Sequence, residues 1–132
     1  MVIDASSLAK YILREDNWSK VREWMLNELH SLTLALAEVS NAIWKHHVLY
    51  KAISYEDAET MFHALKKFRD VVAFESFERY LEDALHISME EKITVYDALY
   101  LAQAKKFNGL LTSDEKQWKA AKKMGINVEF VE

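Results

Sequence analysis

Four carboxylates occupy positions from which they could act together: Asp4, Glu38, Asp97 and Asp114. Asp4 follows the apolar Met1-Val2-Ile3 directly, and Glu38 follows the apolar run from Leu32 to Ala37. Asp114 comes just after Leu110-Leu111-Thr112, and Asp97 opens the helical run that leads into that last strand. In an open parallel sheet the carboxyl ends of the strands share one edge, where ligand sites form. The four acids are therefore expected to converge. Gathered carboxylates repel and raise one another's pKa unless a cation neutralises them. Hard divalent ions take oxygen ligands. Magnesium typically binds one or two carboxylates plus waters and a substrate phosphate, and manganese suits the same donors. The chemistry such a set can do is in-line phosphodiester hydrolysis, with one or two ions about 3.5–4 Å apart. The competing reading is four independent helix caps, because acids in a first turn accept free N–H groups and complement the helix dipole.

The elements that must position these acids can be traced along the chain. Met1 to Ile3 reads as a minimal strand, and Ser6 or Ser7 as the cap of a helix burying Leu8, Tyr11 and Ile12. Asn17 is expected to cap a second helix carrying Trp18, Val21, Trp24, Met25 and Leu29. Leu32 to Ala37 has strand length, and a third helix is expected from Glu38 to about Tyr50, burying Val39, Ile43 and one of His46 and His47. Ser54 and Asp57 have capping-box spacing, as do Thr94 and Asp97. The first pair opens a helix with Ala58, Met61, Phe62, Leu65 and Phe68 on one face. Val71 to Phe74 is the next strand, and Phe77 to Met89 is amphipathic. Gly109 and Gly125 read as helix stops, Leu110 to Thr112 and Val128 to Val131 as strands. Strands alternating with helices imply a parallel sheet covered on both faces, a three-layer α/β fold of about five strands.

Composition sets the outer bounds. The chain has 132 residues, with 51% hydrophobic and 29% charged, enough for one domain spanning 1–132. It has no cysteine, which excludes disulfides, thiolate metal sites and cysteine nucleophiles. No apolar run is long enough to span a bilayer and the start lacks a signal-peptide layout, so a soluble cytoplasmic protein is expected. The net charge is −4, so a polyanionic partner would need a local patch or bound cations.

Four segments together resemble the PIN domains, and within them the VapC-type toxins of toxin–antitoxin pairs. They are Val2-Ile3-Asp4-Ala5-Ser6-Ser7-Leu8, Ala37-Glu38-Val39-Ser40-Asn41-Ala42, Tyr96-Asp97-Ala98-Leu99-Tyr100-Leu101-Ala102 and Leu111-Thr112-Ser113-Asp114. Each is weak alone, but their order and separations match over essentially the whole chain. The resemblance implies a parallel sheet in the order 3-2-1-4-5, a magnesium- or manganese-dependent ribonuclease site, a homodimer and a cognate antitoxin. It implies that Asp4, Glu38, Asp97 and Asp114 are the acidic quartet, supported by the hydroxyls of Ser6 and Thr112. On this reading Asp4, Asp97 and Asp114 hold the ion, and Glu38 positions water or a second ion.

Neighbouring residues carry alternatives. Asn41, three residues after Glu38, is either a further support for that carboxylate or a surface residue. Glu115 is an adjacent acid of open role. Lys10 is expected to be solvated, with contact to RNA phosphate as the alternative, and the histidines show no metal-ligand spacing. Lys122-Lys123 reads as a solvated helix end. Trp18 and Trp24 are core residues or, if exposed, a partner surface. A phosphoacceptor receiver domain would need paired acids by the first strand, but Ala5 stands beside Asp4. A haloacid-dehalogenase-type phosphatase would need Asp where Ser6 stands. The rival that survives is a PIN-like module that binds RNA or protein without cutting.

Overall fold

The computed structural model describes all residues, 1–132. Five parallel strands lie in the order β3-β2-β1-β4-β5, the order the resemblance implied. They are β1 (Val2–Ile3), β2 (Leu29–Leu32), β3 (Val72–Glu75), β4 (Leu110–Thr112) and β5 (Val128–Phe130). The two residues of β1 sit at the centre, with Val2 in register with both His30 and Leu110, and Ile3 with Leu111. Val2, Ile3, Leu110 and Leu111 are fully buried, as strands covered on both faces must be.

The helices are α1 (Ala5–Ile12), α2 (Trp18–Trp24), α3 (Thr33–Trp44), α4 (Tyr55–Lys67), α5 (Leu81–Glu91), α6 (Val95–Phe107) and α7 (Glu115–Lys123). Crossovers from β1 to β2 and from β2 to β3 run in one direction across the sheet. Those from β3 to β4 and from β4 to β5 run in the other. Right-handed crossovers therefore place α1–α4 on one face and α5–α7 on the opposite face, giving an α/β/α sandwich.

Four expected features differ. The second strand is Leu29–Leu32, and the apolar run Leu32 to Ala37 is mostly the first turns of α3. Glu38 thus sits inside a helix, not at a strand end. A short apolar run fits a buried strand or a buried helix equally well, and here helical pairing prevailed. The cap of α1 is Asp4 itself, whose Oδ1 accepts the Ser7 N–H at 3.1 Å, so neither serine caps. Asn17 precedes α2 with a left-handed backbone (φ 68°) and makes no side-chain cap. Its amide donates instead to the carbonyl of Glu132 at 2.8 Å. At the end of α6 the left-handed residue is Asn108 (φ 51°), one position before the glycine expected to stop the helix.

The Ser54–Asp57 capping box forms in full. The α3 helix ends in a π-helical turn, Lys45–Leu49, where both histidines are half-buried and bonded through Nδ1 to backbone carbonyls, His46 to Ala42 and His47 to Ile53. Trp18 and Trp24 are half-buried, and the tryptophan that stands out is Trp44, 48% exposed.

Candidate active site

The four acids meet around one cavity of about 230 Å³, lined by Asp4, Glu38, Asp97 and Asp114 together with Ser6, Tyr100 and Gln117. The fold explains the convergence. Asp4 ends β1, and Asp114 ends the short turn after β4. The α6 helix runs back against the strands, which brings its first turn, with Asp97, to their carboxyl edge. Glu38 lies in the second turn of α3, but helical side chains tilt toward the helix N-terminus. The carboxylate therefore still reaches the edge from which α3 departs.

Two hydroxyls tie the turns together. Ser6 Oγ donates to Asp4 Oδ1 at 2.6 Å and accepts the Ser113 N–H at 2.9 Å. Thr112 Oγ1 donates to Asp4 Oδ2 and accepts the Asp114 N–H at 3.1 Å. Each hydroxyl thus donates to one acid and accepts from the turn that carries another. Asp114 caps α7, its Oδ1 accepting the N–H groups of Lys116 at 2.8 Å and Gln117 at 3.2 Å. On α6 the expected capping box is half formed: the Thr94 hydroxyl accepts the Asp97 N–H, without the reciprocal bond to the Thr94 backbone.

Two contributors were not singled out in the sequence. The Tyr100 hydroxyl donates to Glu38 Oε1 at 2.7 Å. Gln117 is 2% exposed, and its Nε2 donates to the Asp97 carbonyl at 3.0 Å. Each stands three residues after an acid on a helix, a spacing that puts two side chains on one face and was the available signal. Asn41 has the same spacing from Glu38, yet it is exposed and does not line the cavity. Glu115 also stays outside and pairs with Lys119 at 3.1 Å. Lys10 is not solvated. It is buried and donates to the Asp16 carbonyl at 3.0 Å.

The electrostatics are those of buried acids that also repel one another. Burial pushes the Asp4 carboxyl up to about 6, against the lowering hydrogen bonds from Ser6, Thr112 and Ser7, and with a further push from Asp114. Burial also raises Glu38, opposed by the Tyr100 hydrogen bond and assisted by Asp97. Asp97 is raised by burial and then by Asp114, with Thr94 and Lys116 pulling the other way. The Tyr100 hydroxyl is held protonated, first by burial and then by Glu38.

The donor chemistry suits a hard cation, since the cavity offers carboxylate oxygens and no lysine or arginine lines it. Glu38 Oε2 and Asp114 Oδ2 make no hydrogen bond and remain free to bind. The acids are not, however, drawn into a closed coordination shell: no three of them are grouped as they stand to hold one ion. The fit therefore lies in the ligand types and their shared cavity.

The sequence profile of the PIN domain family matches residues 1–123. The chain belongs to the PIN domain family. It is 32% identical over 119 residues to ribonuclease VapC3 of Pyrobaculum aerophilum, spanning 89% of this chain and 90% of that protein. It is 29% identical over 128 residues to exonuclease VapC9 of the same organism, spanning 97% and 90%. Among solved structures it is similar to PAE2754 from Pyrobaculum aerophilum, with a TM-score of 0.68 and 28% identity over 90% of this chain and 84% of that one. FitAcB from Neisseria gonorrhoeae shares the fold at a TM-score of 0.62 and 15% identity, over 96% and 94%. No helix is long and apolar enough to cross a membrane.

Proposed function

We propose that the protein is a metal-dependent endoribonuclease that hydrolyses RNA phosphodiester bonds, the toxin of a toxin–antitoxin pair of the VapC type. The observation that carries this reading is four carboxylates around one cavity, three of them with raised pKa, on a PIN fold. The related ribonuclease VapC3 supports the choice of RNA as substrate.

Asp4, Asp97 and Asp114 would hold magnesium or manganese. The bound ion would supply Lewis acidity toward a phosphodiester and its attacking water. Asp4 is the most buried acid, locked by Ser6, Thr112 and the Ser7 N–H, so its oxygens are preorganised. Asp114 is fixed by the α7 N-terminus and presents its free Oδ2. Glu38 has one oxygen occupied by Tyr100, which leaves Oε2 to orient the water or a second ion.

We also infer a homodimer and a cognate antitoxin. Trp44, Tyr55 and Phe62 border a cavity of about 450 Å³ between α3 and α4, and exposed aromatics of this kind anchor partners. Light scattering at micromolar concentration should return twice the chain mass. Monomer mass alone would remove the dimer.

The test of the nuclease reading is Asp97→Asn. Asparagine keeps the volume and removes the charge needed for the ion. The Thr94 cap uses the residue 97 backbone N–H, so it survives the change. The fold should persist by circular dichroism while manganese-dependent RNA cleavage falls by about two to three orders of magnitude or more, the scale of losing a catalytic electrostatic group. A folded variant that cuts at the wild-type rate would mean the quartet is not the catalytic site, and the non-cutting binding module would take its place.

A further inference from the structure

A second cavity, of about 280 Å³, lies beside the acidic one and has the opposite character. It is lined by Lys116, Lys119, Lys123, Ala120, Glu91 and Ile93. The three lysines stand at i, i+3 and i+7 on α7 and so share one helix face. They span about 10 Å of the helix at 1.5 Å per residue. The chain as a whole carries −4. Three lysines against Glu91 and the Glu115 that pairs with Lys119 leave the strip at +1, so the remainder of the molecule carries −5. A basic strip on an acidic protein is a local field for an anion, and it concentrates that anion where the field is.

The strip also leads somewhere. Lys116 donates its backbone N–H to Asp114 Oδ1, its charge reaches Asp97, and its neighbour Gln117 lines the acidic cavity. The groove therefore begins at the turn that carries one acid of the quartet. Two of its lysines are lightly engaged. Lys116 makes no side-chain ion pair, and Lys119 pairs with Glu115 across two side chains that are each 66% exposed, a weak pair readily exchanged for phosphate. Lys123 is held more firmly, 3.5 Å from a Glu91 side chain that is only 14% exposed.

We propose that this α7 groove is the phosphate track for single-stranded RNA, guiding the backbone past Lys123, Lys119 and Lys116 to the acidic cavity. The proposal rests on the ribonuclease reading and deepens it by assigning the substrate's path. An acidic polypeptide would find the same charges, but it has no reason to continue into a cavity of carboxylates. A phosphodiester backbone does, because the reaction lies there.

The experiment measures binding of a short fluorescent mixed-sequence RNA to the Asp97→Asn protein by anisotropy, over a series of KCl concentrations. Lys116→Gln, Lys119→Gln and Lys123→Gln are added singly and together, with Lys66→Gln/Lys67→Gln/Arg69→Gln at and just beyond the exposed end of α4 as a charge-matched control. Glutamine is a good helix former at exposed positions, and circular dichroism checks each fold. The triple variant should bind roughly tenfold more weakly or worse, and its plot of log affinity against log salt should be shallower by about 2. The slope change follows from about 0.7 per phosphate contact on a single strand. The control should match the parent.

In the otherwise wild-type protein the Lys119→Gln/Lys123→Gln variant, which keeps the Lys116 charge that reaches Asp97, should raise KM and leave kcat unchanged. Equal affinity and slope in triple variant and parent would overturn the track, even if Asp97-dependent cleavage is intact. So would an absence of RNA binding by the parent, or polyglutamate binding through these lysines while RNA does not depend on them. Lysine-dependent RNA binding by a wild-type protein that never cuts would uphold the track and overturn the nuclease reading.

Discussion

Gln117 is a buried amide used on one side only. Its Nε2 fastens the start of α7 to the Asp97 carbonyl, while its Oε1 is buried without a partner. An unpaired buried acceptor costs about 1–3 kcal/mol. Gln117→Leu removes both the tie and the orphan, so the metal-free protein should melt within a few degrees of wild type. The spacing between the Asp97 and Asp114 turns should loosen, and manganese affinity measured by calorimetry should fall about 10–100-fold, as when other groups that orient ligands are lost. Wild-type affinity in this variant would leave Gln117 a packing residue. The contrast with Asn41 marks what the sequence could yield at this scale. Both residues follow an acid by three positions, and type and spacing cannot say which face of a helix looks toward the sheet edge. The acids themselves were legible because they punctuate apolar runs. Tyr100 was not, because a tyrosine in an alanine- and leucine-rich helix looks like core.

At the scale of elements, the end of β3 holds a polar cluster that no motif announced. Glu75 accepts the Tyr80 hydroxyl at 2.6 Å, Arg79 at 2.7 Å, Gln103 at 3.1 Å and Lys106 at 3.4 Å. Burial alone would raise its pKa, but these donors and the Lys106 charge win and hold it at about 2, below the ordinary 4.5. A carboxylate depressed on folding adds stability above its unfolded pKa and loses it as pH falls toward the folded one. The contribution, about 2–3 kcal/mol, should therefore be full above pH 4.5 and drain away between about 4.5 and 2. Glu75→Gln should lower neutral stability by that order and flatten the loss over this window, measured by urea unfolding at stepped pH. A parallel acid slope in both proteins would mean other groups govern it. The partners of Glu75 lie 4, 5, 28 and 31 residues away, and the distant ones are set only by the sheet order. The strand-to-helix boundary before Glu38 was hidden for a related reason: Leu32 to Ala37 is apolar but for Thr33, and pairing with β1 and β3 decides which part extends.

For the molecule as a whole, the crowded acids make the metal-free state carry a repulsion that a cation would relieve. Manganese at a hundred times its dissociation constant should stabilise the fold by about 2.7 kcal/mol. With about 3–4 °C per kcal/mol for a chain of this size, the melting temperature should rise roughly 10 °C, and chelator should reverse it. A melting curve indifferent to millimolar manganese would count against the ion site. The sheet order has one more consequence, for the timing of synthesis. Asp4 and Thr112 are hydrogen-bonded across 108 residues of sequence, and the central strand β1 gains its second neighbour only when β4 exists. At about 5–20 residues per second, the acid near the start waits roughly 5–20 seconds for the turn that completes its surroundings. A ribosome stalled before β4 holds a chain that carries Asp4, Glu38 and Asp97 but lacks Thr112 and Asp114, so the acidic cavity cannot be completed until β4 and the turn after it have been made.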